Sequence, residues 1–168
     1  PTLVDVYRGF FQGKKINISD IATNICPYLD LIPSNLGMAA FETEFNSKIE
    51  NIGNFFKNLL RPIEDRYDLI WFDCPPALSK ITSSAQAYSS TIIVPVNTDL
   101  FSMDGLELTF DSVLSLNSKF GINPKLKIVV NKFDARQKLG FEIINKLSTG
   151  EYKDFLCGNF ISSSKQID

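Results

Sequence analysis

A short apolar run that ends on an acid is the part of this sequence best suited to chemistry. Residues 69–72 read Leu-Ile-Trp-Phe, Asp73 follows them directly, and Pro75 and Pro76 come soon after. Four consecutive apolar side chains predict a parallel strand buried on both faces, and proline cannot extend its ladder. Many nucleotide-binding α/β proteins place an acid on Mg²⁺ from the carboxyl end of such a strand, which makes Asp73 the candidate magnesium residue. The alternative is an ordinary strand end at which Asp and Pro begin a turn.

The phosphate cradle that such an acid normally serves has no counterpart in the sequence. No G-x-x-x-x-G-K-[ST] motif occurs in the 168 residues, so no loop of that type can grip a nucleotide's phosphates. We therefore expect the chain as given not to hydrolyse ATP by itself. Because it begins at Pro1 rather than Met and stops at Asp168 soon after a strand-like stretch, we expect it to be an excerpt of a longer protein.

Composition limits the kinds of site that the chain can hold. The net charge is −2 and histidine is absent, which gives no overall attraction to nucleic acid and excludes a Cys/His zinc site. The three cysteines, Cys26, Cys74 and Cys157, are odd in number and lack CxxC spacing, which disfavours a disulfide framework. Hydrophobic residues make up 44% of the chain, yet no apolar run approaches the roughly 20 residues of a membrane span. These features predict a soluble, cytoplasmic protein with one domain over residues 1–168.

Helical and strand periodicities alternate along the chain. Helices are predicted over 2–13, 36–45, 47–60, 82–89 and 139–147, with another beginning at Ser102 and reaching at least Leu114,. Strands are predicted over 28–32, 69–73, 91–96 and 126–131, with strand-like residues at 159–161 and a brief turn over 20–24,. This rhythm favours right-handed βαβ crossovers. The predicted fold class is α/β, a mostly parallel sheet flanked by helices on both faces and incomplete at the N-terminus and at the C-terminus.

Several segments, in order along the chain, resemble motifs of the ParA/MinD family of deviant-Walker P-loop ATPases, and most closely its ParA partition branch. These segments are TLVDVYRG from Thr2 to Gly9, LIPSNLGMAAFETEF from Leu31 to Phe45, YDLIWFDCPPALS from Tyr67 to Ser79, TIIVPVNTDLFSMDGL from Thr91 to Leu106, and VVNKFDAR from Val129 to Arg136. Each match is short, but together they keep the family's order and cover most of the chain.

The resemblance implies a function and a set of partners. Family members bind ATP and Mg²⁺, form homodimers on ATP binding, bind DNA non-specifically as dimers, and hydrolyse ATP when a ParB-like adaptor stimulates them. Asp73 matches the acid that acts on Mg²⁺ through water, and Pro75 and Pro76 match the loop that senses the phosphate end. Cys74 stands where a small threonine is common, and we expect it to be an inert packing residue. The segment carrying the phosphate-binding loop would precede Pro1.

The resemblance also suggests two sets of binding residues near the end of the strand over 126–131. Asn131 matches a position that hydrogen-bonds the adenine edge in several relatives, with a strand-ending turn residue as the alternative. Lys132, Arg136 and Lys138 form a small basic group that is a candidate for DNA contact. The alternative for this group is a solvated charge cluster.

Other functions stay open at this stage. One is a pseudo-ATPase that lacks the phosphate loop and acts as a binding or regulatory module. Others are a MinD-like cell-division regulator, a tyrosine-kinase-type ATPase or a cobyrinate-synthesis ATPase on the same fold.

Overall fold

The computed structural model describes residues 1–14, 17–48, 50–75, 79–99 and 101–164. The chain divides into two compact units, Pro1–Tyr88 and Ser89–Asp168. They are called unit 1 and unit 2 below, and each is described by itself.

Unit 1 is mostly helical. Its α-helices are α1 (Leu3–Phe11), α2 (Gly37–Lys48), α3 (Phe55–Leu60) and α4 (Lys80–Tyr88), with single 3₁₀ turns at Ile18–Asp20, Ile52–Asn54 and Glu64–Arg66. The start and end predicted for the first helix are confirmed. The Thr2 backbone N–H and hydroxyl both donate to Asp5 Oδ2, at 2.8 and 3.1 Å, and Gly13 takes the positive φ of 69° that a residue just past a helix end needs,.

One long helix predicted from Ser47 to Leu60 is wrong. Helix α2 runs through Ser47, whose hydroxyl donates to the Glu44 carbonyl instead of capping a new helix. The chain resumes as the short 3₁₀ turn and α3. Asn51, Gly53 and Asn54 are poor helix formers, so the apolar spacing over this stretch does not produce a continuous helix.

A β-hairpin lies where the sequence suggested a turn and one strand. Strand β1 (Thr23–Cys26) pairs antiparallel with β2 (Leu29–Leu31), with an irregularity between Asn24 and Cys26. Every residue of both strands is exposed, and Tyr28 at the tip is 99% exposed. The hairpin therefore gains little from core burial and depends on its own hydrogen bonds.

The core of unit 1 is a cluster of aromatic rings. Tyr7 stacks on Phe41 with ring centroids 4.8 Å apart, and it also contacts Phe45 and Phe55 at 6.2 and 5.3 Å. Phe56 contacts Phe55 at 5.2 Å. Such edge and stacked pairs add about 0.5–1.5 kcal/mol each beyond their area burial. This cluster accounts for many of the chain's 14 phenylalanines, whose abundance the sequence alone did not explain.

The apolar run before Asp73 has no regular secondary structure and joins no ladder in the described residues, although its side chains alternate in burial as in an extended chain,. Ile70 and Phe72 pack against the core of unit 1, while Leu69 and Trp71 are 72% and 66% exposed. The prediction of a strand buried on both faces is therefore wrong for this segment. Apolar side chains on both faces of a segment show that both faces suit burial. They do not show which strand pairs with the segment or which helices cover it.

Unit 2 contains the parallel sheet. Strand β3 (Thr91–Asn97) pairs in parallel with β4 (Lys125–Asn131) along their whole length, from Thr91 beside Lys125 to Asn97 beside Asn131. Helix α5 (Phe101–Phe120) joins the two strands and α6 (Lys138–Thr149) follows them. Helix α5 begins at Phe101, one residue before the predicted Ser102, and Asp99 Oδ1 accepts the Ser102 backbone N–H at 2.8 Å, as a capping side chain does,.

A third stretch of unit 2 runs parallel to β4 with fewer bonds. The Cys157 N–H donates to the Ile128 carbonyl, Ile161 N–H to the Val130 carbonyl, and Phe133 N–H to the Ile161 carbonyl, all at 2.8–2.9 Å. The predicted strand-like residues 159–161 therefore lie beside β4. The buried core of the unit is formed by aliphatic residues of β3, β4, α5 and α6 together with Phe133 and Tyr152. The α/β class with parallel strands and helices is confirmed.

Tyr7 gives a test of the aromatic core. Its hydroxyl is fully buried without a hydrogen-bond partner among the described residues, and burial raises the pKa of the phenol well above its usual value. We expect Tyr7→Phe to increase the free energy of unfolding by about 1 kcal/mol, because an unsatisfied buried hydroxyl is removed while the ring stays. Urea unfolding measures the change. Tyr67→Phe is the matched control, since the Tyr67 hydroxyl is bonded to Asp30 at 2.6 Å and its loss should not stabilise. Destabilisation by Tyr7→Phe would show that the hydroxyl is satisfied.

Candidate functional site

Asp73 lies at the end of the extended segment with its side chain open to solvent. The residue is exposed, and it makes no hydrogen bond or ion pair within the described part of the chain. Ile70 and Phe72, which flank Trp71, pack against the core of unit 1 and hold the segment there. A carboxylate that is neither buried nor paired has its oxygens available to a cation, and hard oxygen ligands suit Mg²⁺.

The loop that follows is only partly described. Cys74 and Pro75 are exposed and without regular secondary structure, and Pro76 lies outside the described residues. Cys74 is thus not the buried packing residue expected from the sequence. The pKa of its thiol is raised, mainly by desolvation and secondly by the neighbouring Asp73 carboxylate. The thiol therefore stays protonated and weakly reactive at neutral pH.

The start of the same segment is tied to the hairpin. The Tyr67 hydroxyl donates to Asp30 Oδ2 at 2.6 Å, and Asn24 Nδ2 donates to the other oxygen of Asp30 at 2.7 Å. These two bonds lower the pKa of the Asp30 carboxyl, and the bond to Asp30 raises the pKa of the Tyr67 phenol. Sequence reasoning missed this contact, because Asp30 and Tyr67 are 37 positions apart and neither belongs to a local pattern that names the other.

In unit 2, Asn131 ends β4 beside the asparagine that ends β3. Asn131 Nδ2 donates to Asn97 Oδ1 at 3.2 Å, and the two residues are partners in the parallel register. The carboxyl ends of parallel strands are the usual edge for ligands in α/β sheets. Asn131 keeps its carbonyl oxygen and one N–H for further hydrogen bonds.

An open cavity of about 470 Å³ lies just past the end of β4. The rings of Phe133 and Phe160 meet at its wall, with centroids 4.5 Å apart and planes at 56°, and Arg136, Ser162 and Ser163 also line it. Apolar faces next to a few polar groups are typical of small-molecule sites. No local pattern predicted this cavity, because Phe160 and the two serines reach it from a segment some thirty residues later.

Two of the three residues in the predicted basic group, Arg136 and Lys138, are paired with neighbouring acids. Arg136 forms a fork with Asp134, with Nε–Oδ1 at 2.9 Å and NH2–Oδ2 at 2.8 Å, and its backbone N–H also donates to Oδ1 at 3.0 Å. Lys138 Nζ lies 3.8 Å from Glu142 Oε1, one helical turn along α6, with both side chains exposed. Lys132 takes a positive φ of 53°, and its carbonyl accepts the Thr98 hydroxyl at 3.2 Å.

The described residues contain neither a cluster of metal-ligating side chains nor a membrane-spanning helix. No group of three or more His, Cys, Asp or Glu side chains there could hold a metal ion, so Mg²⁺ would depend on few protein ligands together with water and substrate oxygens. No helix in that part of the chain has the length and apolar character needed to cross a membrane.

Comparison with known proteins identifies the family. A family model described as an AAA domain matches residues 2–128. The cell division protein PomZ of Myxococcus xanthus is 35% identical over 138 residues, which are 80% of this chain and 42% of PomZ. The chromosome-partitioning ATPase Soj of Treponema pallidum is 31% identical over 140 residues, 82% of this chain and 54% of Soj.

The chain belongs to the ParA/MinD family.

Among solved structures, a putative plasmid partition protein from Borrelia burgdorferi B31, bound to AMPPNP, matches with a TM-score of 0.80 and 24% identity over 99% of this chain and 62% of that one. The likeness places the chain in the P-loop ATPase fold of the ParA/MinD family. The chain spans about half the length of the curated relatives it matches.

The Arg136 fork gives a pH prediction for this ParA/MinD-family chain. The Arg136 side chain and backbone, followed by Gln137, hold the pKa of the Asp134 carboxyl well below its ordinary value. Because that pKa is lowered on folding, the stabilisation is complete above the unfolded value of about 3.9 and is lost as the pH falls further. We expect Arg136→Gln to return the pKa of Asp134 toward its ordinary value, as followed by NMR titration of the Asp134 side-chain carboxyl carbon.

Lys138→Gln is the control for that titration. Its lysine faces Glu142 and not Asp134, so the Asp134 titration should stay as in the unsubstituted protein. An Asp134 pKa that is ordinary before any substitution would contradict the fork.

Proposed function

We propose that the chain is part of a ParA-type ATPase for chromosome or plasmid partitioning, which binds ATP with Mg²⁺ and acts in the cytoplasm. The observation that carries the proposal is Asp73, exposed at the end of an apolar segment and without a partner in the part of the chain that the structure describes. The chain belongs to the family that contains Soj and PomZ. One of the matching structures is bound to the ATP analogue AMPPNP, which supports ATP as the nucleotide.

Asp73 acts on Mg²⁺ through water in this proposal. Magnesium usually keeps several waters and takes one or two carboxylates together with phosphate oxygens, so a single free acid fits the role. Pro75 and Pro76 match the family's loop after this acid, where the state of the phosphate end would be sensed. Phosphoryl transfer of this kind depends on positioning and charge neutralisation rather than on covalent chemistry.

Asn131 recognises the adenine edge in this proposal. The free carbonyl and N–H of its amide match an adenine edge, which offers one donor and one acceptor. The bond from Asn131 to Asn97 fixes the orientation of the amide. The neighbouring cavity, with Phe133 and Phe160 at its wall, supplies apolar surface of the kind that a base packs against.

The proposed partners are a second copy on ATP binding, non-specific DNA and a ParB-like adaptor that stimulates hydrolysis. Support comes from the names of the relatives, a chromosome-partitioning ATPase and a plasmid partition protein. Lys132, Arg136 and Lys138 remain candidates for DNA contact. Asp134 and Glu142 already offset part of the charge of Arg136 and Lys138, which reduces the attraction that these two can exert on phosphates.

Substitution of Asp73 tests the proposed magnesium role. We expect Asp73→Asn in the full-length protein to lower Mg²⁺-dependent ATP turnover about 100-fold or more, because a preorganised charge acting on the metal is removed. Phosphate release at a series of Mg²⁺ concentrations measures the effect. Asp68→Asn is the matched control, since Asp68 is an exposed acid five positions earlier in the same stretch. Turnover that survives Asp73→Asn unchanged would remove Asp73 from the site.

DNA retention tests the partition assignment. We expect the full-length protein to bind non-specific duplex DNA at least about tenfold more tightly with ATP and Mg²⁺ than with ADP, because only the ATP-bound dimer doubles the phosphate contacts. Fluorescence anisotropy of a labelled random-sequence duplex measures affinity at fixed salt. An affinity that does not respond to nucleotide would count against partitioning and favour another ATPase of the same fold.

A further inference from the structure

The two parallel strands of unit 2 end in a pair of asparagines whose side chains meet. Asn97 and Asn131 are partners in the register, and partner positions have their side chains on the same face of the sheet. Val96 and Val130, one residue earlier in each strand, are buried in the core, so the two asparagines lie on the opposite face. There Asn131 Nδ2 donates to Asn97 Oδ1 at 3.2 Å.

This hydrogen bond has a direction, and the direction distinguishes the two ends of the Asn131 amide. A primary amide has an acceptor oxygen and a donor nitrogen, so turning it over exchanges an acceptor for a donor. Because Asn131 Nδ2 faces Asn97 Oδ1, Asn131 Oδ1 lies on the side of the amide away from Asn97. On that far side Asn131 therefore presents an acceptor.

The backbone just beyond Asn131 is also held by the end of β3. The Thr98 hydroxyl donates to the Lys132 carbonyl at 3.2 Å, and Lys132 has a φ of 53°, which few residues other than glycine adopt,. Gly140 of α6 packs closely here, since a Cβ at that position would lie 3.2 Å from the Phe133 ring and 3.4 Å from the Thr98 methyl group. The strand end that carries Asn131 is thus fixed through its side chain and through the chain that follows it.

Adenine and guanine differ at the ring position that an oriented amide can recognise. Adenine has an amino group at C6, which donates, and guanine has a carbonyl oxygen there, which accepts; both have the N7 acceptor beside it. An asparagine with its oxygen toward the C6 group and its N–H toward N7 matches adenine at both atoms. The same orientation places two oxygens against each other in guanine, whereas an amide that turned over would donate to that oxygen.

We propose that Asn97 is a specificity-determining residue for the nucleotide base, because it holds the Asn131 amide in the orientation that accepts adenine and disfavours guanine. The proposal rests on the adenine role proposed for Asn131. In this role Asn97 contacts Asn131 and not the base, and it prevents the amide from turning over. Residue 97 must therefore supply an acceptor, and a side chain that can only accept will serve as well.

The ratio of ATP affinity to GTP affinity tests this role in the full-length protein. Both dissociation constants are measured with Mg²⁺ by displacing a fluorescent ATP analogue with unlabelled ATP or GTP. Asn97→Leu is similar in size but lacks the acceptor, so we expect the preference for ATP to fall about tenfold, within the range that one matched amide–base pair supplies. Asn97→Asp has acceptor oxygens only and should keep the preference, because a charge that weakens the binding of both nucleotides leaves their ratio in place.

A second readout follows the orientation of the amide without nucleotide. The ¹H–¹⁵N signals of the Asn131 side chain are assigned by their loss in Asn131→Ala. We expect one proton of the amide to resonate downfield because it is hydrogen-bonded, to move upfield in Asn97→Leu and to stay downfield in Asn97→Asp. A loss of stability alone would lower the amount of folded protein and change neither this signal nor the affinity ratio.

Two further variants serve as references. Asn117→Leu makes the same substitution at an exposed position of α5, and it should leave the Asn131 signals and the affinity ratio unchanged. Asn131→Ala removes the amide itself, so it should lower the preference for ATP at least as much as Asn97→Leu does.

The outcomes distinguish the two proposals. If Asn131→Ala lowers the preference for ATP and Asn97→Leu does not, the adenine role of Asn131 stands and the role of Asn97 is overturned. Equal losses in Asn97→Leu and Asn97→Asp would also overturn it, since the direction of the hydrogen bond would then not matter. If the preference for ATP survives in Asn131→Ala, the adenine role fails and the specificity role fails with it, whatever the amide signals show.

Discussion

The packing of Phe72 against the aromatic core is the contact on which the candidate site of unit 1 depends. Within the described residues no strand pairs with this segment, and its contacts with the core are made by side chains. The free energy that holds it comes from burying Ile70 and Phe72 on one face and from ring contacts at 4.7 and 5.9 Å. Because side chains alternate along an extended chain, the same geometry leaves Trp71 facing outward,. One row of contacts therefore both anchors the segment and exposes Asp73 at its end.

Asp134 and Asp73 show how neighbouring residues determine whether a carboxylate is free to bind a cation. Asp134 accepts three hydrogen bonds from Arg136 and one more from Gln137, which lowers the pKa of its carboxyl and occupies its lone pairs. Asp73 is exposed and has no partner among the described residues. A cation that approached Asp134 would have to displace a bidentate guanidinium, whereas Asp73 offers both oxygens. Both residues follow apolar strand-like runs in the sequence, so residue type and position along the chain do not distinguish them.

Local patterns in the sequence predicted much of the fold, and contacts between distant residues decided the rest. The helical spacing of Leu106, Phe110 and Val113 and the β-branched run of β3 identified α5 and the parallel strand, because each pattern is complete within one element. Of the hairpin, the predicted strand over 28–32 is confirmed as β2, whereas β1 was missed because its residues are exposed and mostly polar. The run before Asp73 was assigned to a buried strand because its composition suits one, but pairing depends on a partner elsewhere in the chain. For the site, the sequence indicated Asp73 and Asn131. It could not indicate Asn97 or Phe160, whose relevance comes from contacts with residues far away along the chain.

Four of the chain's five tyrosines extend this argument to chemistry. Tyr7 is enclosed by phenylalanine rings with its hydroxyl unpaired, Tyr67 and Tyr88 donate to carboxylates on other elements, and Tyr28 is in water. Desolvation and a neighbouring acid both raise a phenol's pKa, yet the two causes have opposite consequences for stability. Desolvation without a partner costs free energy, while a bond to a carboxylate recovers it. Tyr67 and Tyr88 flank the segment that carries Asp73, one before it in the chain and one after it, and each is bonded to an acid outside that segment. The motif around Asp73 therefore supplies the candidate acid, while Asp30 and Glu64, outside the apolar run, accept hydrogen bonds from the two tyrosines that flank it.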